Sequence, residues 1–475
     1  MLLTIDIGTS SFKSALWDYD GNRLSFVSVP LSITVNDDVR HETDPSIWLR
    51  AFEDCCAKLG NMPQVLAIII SGNGPSLVPV TGVPSIKNNC LCVPADNARL
   101  WLDRRAVKYS GEVSALMGGY VDAGFFLPKI LGIKNDESDL YGRTQYFLGC
   151  PEYLAYALTG EARTVFPSQG FDRWFWTENV LEKLRMEKEK FPAFISPGDQ
   201  FGVLVPSAAE HFGFSKNIPV ISGGPDFFAS IIGAGVTKPG LACDRTGSSE
   251  GINLCTQNRV NDSRLMSYGH PVKPYWNLSG IISTTGKAIE WCRDLLGLSD
   301  FGDFFSLAKE SKPGSGGLVF KPYLTGERAP IWDPSVRGLW QGISLSSGRC
   351  EFANSVLEGI GFAIKDVIAA MEESGDGCLQ HAAAEQLRVT GGLAGMDALN
   401  QIKADITGKE ILKPTQKEAE LLGLAIIGAC FKNKFSSYQE AISAMVHIER
   451  RFEPNPENTC LYDDLFQKYK GSADY

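Results

Sequence analysis

Two aspartates stand where short apolar runs give way to turns of small and polar residues. Asp6 lies near the end of the first run, before Gly-Thr-Ser-Ser at 8–11, and Asp226 follows Gly-Gly-Pro at 223–225. A carboxylate at the end of a buried strand is costly unless it has a task or a partner. The amides and hydroxyls of such a turn suit a phosphate group, which Lys13 could also reach. An ordinary β-hairpin with a polar turn explains the opening stretch equally well, so both interpretations stay open at this point.

The surroundings of Asp226 are those of a strand-to-helix corner. An apolar run precedes it, and a helix of small residues is predicted to follow it. The positive end of a helix dipole favours the ionised form of a carboxylate. Aspartates at this position are commonly helix caps and nothing more. One carboxylate can nevertheless serve both as a cap and as a catalytic base.

A second turn of the opening kind occurs in the other half of the chain. A short predicted strand at 241–245 leads into Thr-Gly-Ser-Ser-Glu-Gly at 246–251. Two such hairpins, one near the start of each half, indicate duplicated domains, with the similarity in layout more than in residues. The stretch before Lys287 is similar to a P-loop, but its spacing is one residue too long and Ala288 replaces the metal-binding Ser/Thr. We therefore reject a P-loop.

A short segment combines an aromatic ring, a carboxylate and two guanidinium groups: Trp101, Asp103, Arg104 and Arg105. An apolar ring face beside hydrogen-bonding groups is suited to bind a polyol. The alternative is a surface cluster of ion pairs beside one core tryptophan. The residue types alone do not separate the two.

The elements that must position these residues are typical of an α/β protein. The apolar run 65–70 predicts a strand buried on both faces, and it ends in Ser-Gly-Asn-Gly-Pro-Ser at 71–76, a turn where such proteins commonly bind ligands. Residues 77–80 are predicted to continue the same sheet, residues 183–190 to form a solvated helix face, and the chain after Arg451 to be irregular. Helices are predicted after an N-cap at 44–46 and at 227–235, 287–296, 352–371, 397–407 and 418–430.

The bulk properties limit the classes of function. A chain of 475 residues is too long for one ordinary core, so two domains are expected. Its 44% hydrophobic and 21% charged residues are typical of a soluble globular protein. A net charge of −10 argues against nucleic acid or an anionic membrane as the main partner.

Cysteine usage and the N-terminus predict the compartment. The twelve cysteines are scattered, apart from the adjacent Cys55 and Cys56 and the pair Cys90 and Cys92, so reduced packing thiols are expected rather than disulfides or zinc. A strand that begins at Met1 leaves no room for a cleavable signal. The longest apolar runs fall short of the roughly 20 residues of a membrane span. We expect a cytoplasmic protein.

Five stretches, in order along the chain, resemble the FGGY family of carbohydrate kinases, the sugar-kinase branch of the actin-like ATPases. The turn after Asp6 resembles the family's first phosphate loop, and 246–249 resembles the second. The segment 223–235 resembles the one that holds the family's catalytic aspartate. The remaining two are the C-terminal domain signature, at 323–334 with Arg337, and the adenosine-binding motif, at 391–394 with Gln401, Ala404, Asp405 and Gly408. One such motif is weak, but all five in order are highly specific to the family.

The resemblance implies an α/β fold of two ribonuclease-H-like (actin-like ATPase) domains with an interdomain cleft. We expect an N-terminal domain at 1–235 with the sugar site and the first phosphate loop. A nucleotide-binding C-terminal domain at 236–450 and a tail at 451–475 would follow. Closure of the cleft would exclude water and limit wasteful hydrolysis of ATP.

The resemblance also implies residue roles in an ATP-dependent and Mg²⁺-dependent phosphoryl transfer. Asp226 would accept the proton of the sugar hydroxyl that attacks the γ-phosphate. Asp6 and Asp226 would hold Mg²⁺, directly or through water. The expected nucleotide-binding residues are Gly8, Thr9, Ser10, Ser11, Lys13, Thr246, Gly247, Ser248, Gly286, Glu290, Gly391, Gly392 and Met396. The expected sugar-binding residues are Asn73, Ser76, Trp101, Asp103 and Asp226.

The sequence departs from the family mainly on the sugar side. Xylulokinases usually carry Met-His after the Ser-Gly of this turn, and glycerol kinases carry Arg-Glu, whereas Asn73-Gly74 stands here. Gly132 takes the place of a Trp that usually follows Pro-Lys in the family's first signature. Trp101 and Asp103 do match a Trp-x-Asp pattern common among kinases of this type. We therefore expect a kinase of a pentulose-like polyol, with the exact sugar open.

Two other classes of function are compatible with the same fold. A non-catalytic sensor of a sugar or nucleotide would explain the divergent sugar turn, but both carboxylates are intact. An actin-like or chaperone-like ATPase would lack the sugar-kinase signature seen at 326–328. The expected partners are a small-molecule sugar and ATP, with no nucleic acid and no membrane. A homodimer is one option for the assembly, which the sequence leaves open.

Overall fold

The computed structural model describes residues 1–32, 34–35, 39–82, 93–374 and 384–471, and it confirms the α/β class. The chain forms two compact units. Unit 1 contains Met1–Gly233 and Glu420–Met445, and unit 2 contains Ala234–Ala419 and the chain from Val446. Both units are discontinuous in sequence, because two late helices pack with the first unit. The predicted domain limits, at 235 and 450, stay a prediction.

The strands follow each other along both units. In chain order they are β1 (Leu2–Ile7), β2 (Ser11–Trp17), β3 (Arg23–Pro30), β4 (Thr34–Val35), β5 (His41–Thr43), β6 (Ala67–Gly72), β7 (Leu77–Thr81), β8 (Val93–Pro94), β9 (Ala98–Arg99), β10 (Tyr146–Gly149), β11 (Thr164–Val165), β12 (Phe194–Ile195), β13 (Gln200–Val203), β14 (Pro219–Pro225), β15 (Leu241–Thr246), β16 (Glu250–Thr256), β17 (Met266–Gly269), β18 (Trp276–Ile282), β19 (Val319–Lys321), β20 (Leu339–Gln341), β21 (Gln386–Gly391), β22 (Glu410–Pro414) and β23 (Ile448–Phe452).

Helices alternate with these strands. They are α1 (Ser46–Leu59), α2 (Val107–Met117), α3 (Phe126–Asp136), α4 (Ser138–Arg143), α5 (Cys150–Thr159), α6 (Glu178–Lys183), α7 (Pro206–Phe212), α8 (Asp226–Gly233), α9 (Gly286–Leu295), α10 (Phe301–Ala308), α11 (Arg349–Glu373), α12 (Asp397–Thr407), α13 (Ala419–Phe431), α14 (Tyr438–Met445) and α15 (Pro456–Gly471). Short 3₁₀ turns lie at Met62–Gln64, Asp172–Trp174, Lys188–Lys190 and Ser315–Gly317.

The main sheet of unit 1 has the strand order β13-β14-β6-β1-β2-β3. Strands β1, β2 and β3 form an antiparallel meander, whereas β1, β6 and β14 run parallel to one another. All residues of β1 and β6 are buried, which explains their near-continuous apolar sequence. The carboxyl ends of the three parallel strands therefore meet at one edge of the sheet.

The main sheet of unit 2 repeats this arrangement, with the order β17-β18-β16-β15-β21-β22-β23. Strands β15, β16 and β18 are antiparallel neighbours, and β15, β21 and β22 run parallel. The order β18-β16-β15-β21-β22 thus has the same directions as β3-β2-β1-β6-β14 in unit 1. The duplicated ribonuclease-H-like layout expected from the sequence is confirmed.

Strand β7 does not continue the main sheet of unit 1, contrary to the prediction for residues 77–80. It joins a separate sheet with the order β10-β7-β9-β5-β4, in which β8 also pairs with β7. The apolar residues of β7 are buried in this second sheet. Because either sheet can bury such a run, composition could not distinguish them, and the turn at 73–76 redirects the chain.

Two other predictions about local structure were wrong. The chain after Arg451 is mostly regular, since α15 buries Tyr462, Leu465, Phe466 and Tyr469 along one face. Most other residues of α15 are polar, so the helical spacing of these four side chains was not recognised in the sequence. Residues 183–190 are not one solvated helix face: α6 ends at Lys183, and the buried Lys190 donates to the carbonyl oxygen of Thr144 at 2.6 Å.

The cysteines of the described residues carry free thiols, and Cys55 and Cys56 are buried in α1. Cys90 and Cys92 lie outside the described residues. Within the described parts of the chain, no helix combines the length and the apolar character that a membrane crossing requires.

Candidate active site

The two aspartates singled out from the sequence both belong to unit 1 and lie at the same edge of its main sheet. Asp6 is opposite Ser71 in β6, and Pro225, the residue before Asp226, is opposite Gly72. Strands β1 and β14 both flank β6, so they are separated by about 10 Å, twice the usual spacing of strands. The fold therefore brings together two carboxylates that are far apart in sequence.

Asp6 is nearly fully buried, with 6% of its surface exposed. It is directly opposite Lys13 in the antiparallel pair of β1 and β2. Side chains at directly opposed positions lie on the same face of a sheet, with their Cβ atoms about 5 Å apart. Lys13 thus brings a positive charge to the strand end that carries Asp6.

The turn between β1 and β2 is tight. The amide of Gly8 donates to the carbonyl oxygen of Ser11 at 2.9 Å, and a Cβ at residue 8 would lie 2.9 Å from that same oxygen. Only glycine fits this approach without a shift of the backbone. The carbonyl oxygen of Ser10 accepts the amide of Leu31, which ties the turn to the end of β3.

Asp226 lies at the strand-to-helix corner that the sequence predicted, but it is the first residue of α8, which begins one residue earlier than predicted and ends at Gly233. Its Oδ1 accepts the amide of Phe227 at 2.7 Å, and the residue is partly exposed. A hydrogen bond connects α8 to α13: Ser230 donates to Glu420 Oε1 at 2.9 Å. Gly423 allows the close approach of the two helices, since a Cβ there would lie 1.9 Å from the carbonyl oxygen of Ala229.

A cavity that is open to solvent lies beside Asp226, and all of its lining residues belong to unit 1. We call it the Asp226 cavity. Its wall is formed by the turn 72–76, the start of α5, and aromatic residues from α3, from the segment 174–175 and from α8. The lining residues are Ile70, Gly72, Asn73, Gly74, Pro75, Ser76, Phe126, Gly149, Cys150, Pro151, Glu152, Val165, Pro167, Trp174, Phe175, Gly224, Pro225, Asp226 and Phe227.

Asn73 and Ser76, expected to bind sugar, do line this cavity, but their polar atoms also hold the turn. Ser76 Oγ donates to Asn73 Oδ1 at 2.5 Å, and Asn73 Nδ2 donates to the carbonyl oxygen of Ile7 at 2.9 Å. Ser76 is fully buried. Both side chains therefore shape the cavity as well as line it.

Trp101 and Asp103 lie outside the residues that line the cavity. Trp101 Nε1 donates to Thr9 Oγ1 at 3.1 Å, so the indole contacts the turn after β1 instead. Asp103 is fully buried and forms an ion pair with Arg105 at 2.7 Å, while it also accepts the amide of His41 at 3.1 Å. Its carboxylate holds the local chain together.

Lys129 is a residue of the site that sequence reasoning missed. The fully buried ammonium donates to the carbonyl oxygens of Pro75 at 2.8 Å and Leu100 at 2.7 Å. It thereby joins the cavity turn to the segment that leads to Trp101. Burial lowers the pKa of Lys129 well below its usual value. The only sequence signal was its place in the Pro-Lys signature, which gave it no role.

Glu152 is the second missed residue. It lies in the first turn of α5, and its Oε1 accepts the amide of Val165 at 3.1 Å. Burial raises the pKa of this carboxyl to about 7. A carboxylic acid that titrates near neutrality thus lies in the wall of the Asp226 cavity, and no motif pointed to it.

Unit 2 brings together the predicted glycine turns of its own sheet. The amide of Gly286 at the start of α9 donates to the carbonyl oxygen of Gly247 at 3.0 Å, and that of Thr285 donates to Ser248 at 3.0 Å. Thr246 Oγ1 donates to the carbonyl oxygen of Thr390 at 2.9 Å. The turn after β15, the start of α9 and the end of β21 therefore lie in contact.

The glycines of unit 2 are required by this contact. A Cβ at Gly391, whose φ is +90°, would lie 2.1 Å from the carbonyl oxygen of Thr246, and one at Gly286 would lie 2.4 Å from that of Gly247. Gly392 is open, with no atom near its Cβ position. Glu290 is half-exposed and pairs with Lys287 at 2.6 Å. Met396 precedes α12 and packs against the core of unit 2.

A charged cluster beneath the second turn was also missed. Lys403 of α12 contacts Asp244 Oδ2 at 2.7 Å and also Glu250, and all three side chains are fully buried. Burial, together with the neighbouring Asp244, raises the pKa of Glu250 well above its usual value. Asp244 and Glu250 flank the turn 246–249 in sequence, which was the available signal; their lysine partner lies far along the chain.

Comparison with known proteins identifies matches over most of the chain. Residues 1–233 match the N-terminal domain, and residues 245–430 the C-terminal domain, of the FGGY family of carbohydrate kinases. Similar proteins include a xylulose kinase of Lactococcus lactis, 28% identical over 99% of this chain and 95% of that protein. A gluconokinase of Bacillus subtilis is 24% identical over 98% of this chain and 94% of its own length.

The fold has close counterparts among solved structures. The crystal structure of ligand-bound xylulose kinase from Lactobacillus acidophilus superposes with a TM-score of 0.85, covering 99% of this chain and 97% of that one. The sequence identity to it is 22%, so this likeness describes the fold.

Proposed function

Because the chain belongs to the FGGY family of carbohydrate kinases, we propose that it transfers the γ-phosphate of ATP to a hydroxyl of a pentulose-like sugar or related polyol. The observation that carries this proposal is the position of Asp226. A partly exposed carboxylate stands at a helix N-terminus, in the wall of a cavity and at the sheet edge that also carries Asp6.

Asp226 is the proposed general base. An alcohol attacks a phosphate poorly while it keeps its proton, and a positioned carboxylate can accept that proton as the new O–P bond forms. The amide of Phe227 donates to this carboxylate, and the first turn of α8 is a favourable position for negative charge. The anchor from Ser230 to Glu420 keeps the base in place.

Phosphate binding is assigned to the two hairpin turns. In unit 1, Gly8, Thr9, Ser10, Ser11 and Lys13 supply amides, hydroxyls and one positive charge. In unit 2, the corresponding groups come from Thr246, Gly247 and Ser248. The nucleotide pocket in unit 2 is proposed to include Gly286, Glu290, Gly391, Gly392 and Met396, around the contact of α9 with the ends of β15 and β21.

Mg²⁺ fits the carboxylates at this sheet edge. Among the described residues no group of three or more His, Cys, Asp or Glu side chains could hold a metal. Mg²⁺ needs no such group, since it keeps several waters and takes one or two carboxylates together with substrate phosphates. Asp6 and Asp226 would hold it, partly through water. The ion would neutralise charge on the phosphates of ATP.

The proposed acceptor class follows from the relatives, which include xylulose kinases and gluconokinases. Asn73 and Ser76 are proposed to contact the acceptor or to shape its cavity, whereas Trp101 and Asp103 are proposed to act indirectly, through Thr9 and the local chain. A cytoplasmic location, and a small-molecule sugar and ATP as the partners, belong to the same proposal.

The test is acceptor-dependent release of ADP. We expect turnover with ATP and Mg²⁺ only when a suitable ketose, polyol or aldonate is present. Asp226→Asn should lower kcat by about 10²- to 10⁴-fold, the usual contribution of a general base, while ATP still binds. Asp139→Asn is the matched control, because Asp139 also lies in the first turn of a helix but is exposed and does not line the cavity. Its kcat should not change.

Three outcomes would contradict the proposal in different ways. Normal kcat in Asp226→Asn would remove the base assignment. Sugar binding by calorimetry without any turnover would favour the non-catalytic sensor. Hydrolysis of ATP at the same rate with and without acceptor would favour an ATPase.

A further inference from the structure

A second cavity of unit 1 shares a wall with the Asp226 cavity, and the proposed reaction does not use it. We call it the Phe194 cavity. It is open to solvent, and it is lined by the segment 166–177 together with β12 and the residues that follow it: Phe166, Asp172, Trp176, Thr177, Phe194, Ile195, Ser196 and Asp199. All of these residues belong to unit 1. The cavity is therefore a feature of that unit alone.

Three aromatic rings form the apolar part of the Phe194 cavity. The ring of Phe194 stacks on that of Trp176, with centroids 5.2 Å apart and 28° between the planes, and it meets the ring of Phe166 at 5.5 Å. Phe194 is 41% exposed, whereas Trp176 is 7% exposed. An aromatic ring that is held in place and accessible attracts a cation through its quadrupole.

The charged side chains of the Phe194 cavity are of one sign. Asp172 and Asp199 are both exposed, and no lysine, arginine or histidine is among the described residues that line the cavity. The carboxylate of Asp199 accepts the amide of Ser196 at 2.8 Å, which fixes its position. Within the described parts of the chain, neither carboxylate forms an ion pair. The cavity therefore repels anions such as ATP and attracts cations.

The lining also selects the kind of cation. Among the described residues no group of three or more His, Cys, Asp or Glu side chains could hold a metal ion. A hard metal cation needs several oxygen ligands, and ring faces do not supply them. An organic cation can instead lay its hydrocarbon part against the rings while its charge meets the carboxylates. The combination of rings and carboxylates thus favours an organic cation.

One segment, 165–176, contributes to both cavities. Val165 and Phe175 line the Asp226 cavity, whereas Phe166 and Trp176 line the Phe194 cavity. The ring of Phe175 contacts that of Phe166 at 5.5 Å and that of Phe194 at 5.7 Å. Closely packed side chains transmit a displacement to their neighbours. A ligand in the Phe194 cavity is thus in a position to act on the wall of the acceptor cavity.

We propose that the Phe194 cavity binds a small organic cation, an alkylammonium or guanidinium ion, and that this binding lowers the KM for the acceptor. The charged group meets Asp172 and Asp199, and the carbon chain lies against Phe194. A filled cavity reduces the freedom of Phe175 to move away from the acceptor, so the acceptor binds better. By linkage, the acceptor strengthens the binding of the cation by the same factor.

Calorimetry on the free protein tests the site with two probes of equal chain length. 1,5-Diaminopentane carries two positive charges at neutral pH, and 1,5-pentanediol carries none. We expect one diamine to bind per chain, more weakly at high salt because exposed charges are screened. Equal binding of the diol, or no saturable binding of the diamine, would overturn the proposal. N-Acetyl-lysine amide tests a protein side chain as the source of the cation: tighter binding of this probe than of the diamine would overturn the assignment to a small molecule.

Substitutions tie the binding to this cavity. Asp172→Asn combined with Asp199→Asn removes both charges at equal size and should raise the Kd of the diamine about tenfold, the summed effect of two exposed ion pairs. Phe194→Leu keeps an apolar side chain without a ring and should raise the Kd about threefold.

The matched control removes the same amount of charge elsewhere. Asp139→Asn combined with Asp303→Asn changes two exposed aspartates that line neither cavity, and it should leave the Kd unchanged. An equal rise of the Kd in the control and in the variant of Asp172 and Asp199, or no rise in the latter, would overturn the assignment to the Phe194 cavity.

Steady-state kinetics test the effect on the acceptor, which is the part that rests on the proposed function. A saturating concentration of the diamine should lower the KM for the acceptor about fivefold, near the lower end of usual coupling between sites, and leave the KM for ATP unchanged. The variant of Asp172 and Asp199 should lose this response. Binding of the diamine without any change of the acceptor KM would overturn the coupling. If no acceptor supports release of ADP, the proposed function fails, whereas calorimetry still decides whether the cation site exists.

Discussion

Each unit places a fully buried lysine beneath a turn of the candidate site, but the two lysines have opposite kinds of partners. In unit 1, Lys129 donates to the neutral carbonyl oxygens of Pro75 and Leu100. In unit 2, Lys403 contacts two carboxylates, Asp244 and Glu250. Burial lowers the pKa of Lys129. It also acts to lower that of Lys403, but the two carboxylates outweigh it and raise this pKa.

The difference teaches how the two turns are stabilised. The turn after β15 lies next to a buried cluster in which Lys403 pairs with two carboxylates. Removing one of these charges leaves the others buried without a partner, which lowers the free energy of unfolding. The cavity turn at 72–76 is held by an ammonium group among carbonyl dipoles. Those carbonyls align the turn without neutralising the lysine. Removing either lysine should therefore harm its own unit by a different mechanism.

The largest effect is expected from Lys403→Met. The substitution leaves Asp244 and Glu250 buried without a counter-charge, which should cost about 3–5 kcal/mol of unfolding free energy in urea denaturation. Lys409→Met is the control, because Lys409 forms a partly exposed pair with Glu372 and should cost no more than about 1 kcal/mol.

A rescue variant checks the mechanism. Adding Asp244→Asn and Glu250→Gln to Lys403→Met removes the unpaired charges and should recover much of the lost stability. If the triple variant is as unstable as Lys403→Met, the loss comes from packing and the charge argument is wrong.

The next effect concerns Lys129→Met. Three carbonyl oxygens, those of Pro75, Leu100 and, at 3.4 Å, Arg99, lose their donor. An unsatisfied buried carbonyl costs about 1–3 kcal/mol, and the removal of a desolvated ammonium offsets part of this, so a net loss of about 2–4 kcal/mol is expected. The KM for the acceptor should rise more than the KM for ATP, because Pro75 belongs to the wall of the Asp226 cavity. Steady-state kinetics with each substrate varied in turn measure the two KM values.

Lys134→Met is the matched control for Lys129. Lys134 lies on the same helix, α3, and also donates to two carbonyls, those of Leu184 and Arg185, away from the cavity. Its loss should lower stability modestly and leave both KM values unchanged. Equal rises of the two KM values in Lys129→Met would contradict a specific role in positioning the acceptor turn.

The comparison of the two units also shows which features the sequence could predict. Hairpins, glycine turns and helix starts are local: the turn after Asp6 and the helix start next to Asp226 followed from short patterns. The duplicated sheet layout was expected from the resemblance to the family and not from such patterns. Gly391 belongs to a glycine turn that the sequence predicted. The structure gives the reason for the glycine, because a Cβ at this position would lie too close to the carbonyl oxygen of Thr246.

Features made by distant residues could not be predicted in this way. Lys403 lies far along the chain from Asp244, and Lys129 far from Pro75, so no local spacing signals either contact. Asp103 matched a sugar-binding pattern, but its full burial beside Arg105 depends on tertiary packing. The aromatic wall of the Asp226 cavity is likewise assembled from three separate segments.

The smallest effect is a pH dependence that again differs between the units. Burial raises the pKa of Glu152 in unit 1 to about 7 and that of Glu358 in unit 2 to about 6. The pKa of Glu358 is raised less because Ser315, Tyr462 and other donors form hydrogen bonds with its carboxylate. The donors to Glu152 are backbone amides. More donors favour the ionised form.

The sign of the effect follows from proton binding. Each folded-state pKa lies above the ordinary value near 4.5, so between that value and the folded pKa the folded state binds more protons than the unfolded one, and stability falls as pH rises. From pH 5 to pH 8, the unfolding free energy relative to Glu152→Gln should fall by about 2 kcal/mol, and relative to Glu358→Gln by about 1 kcal/mol. Urea unfolding across this range measures both differences. A difference that grows with pH would mean that the folded protein stabilises the carboxylate form of that residue and not the acid.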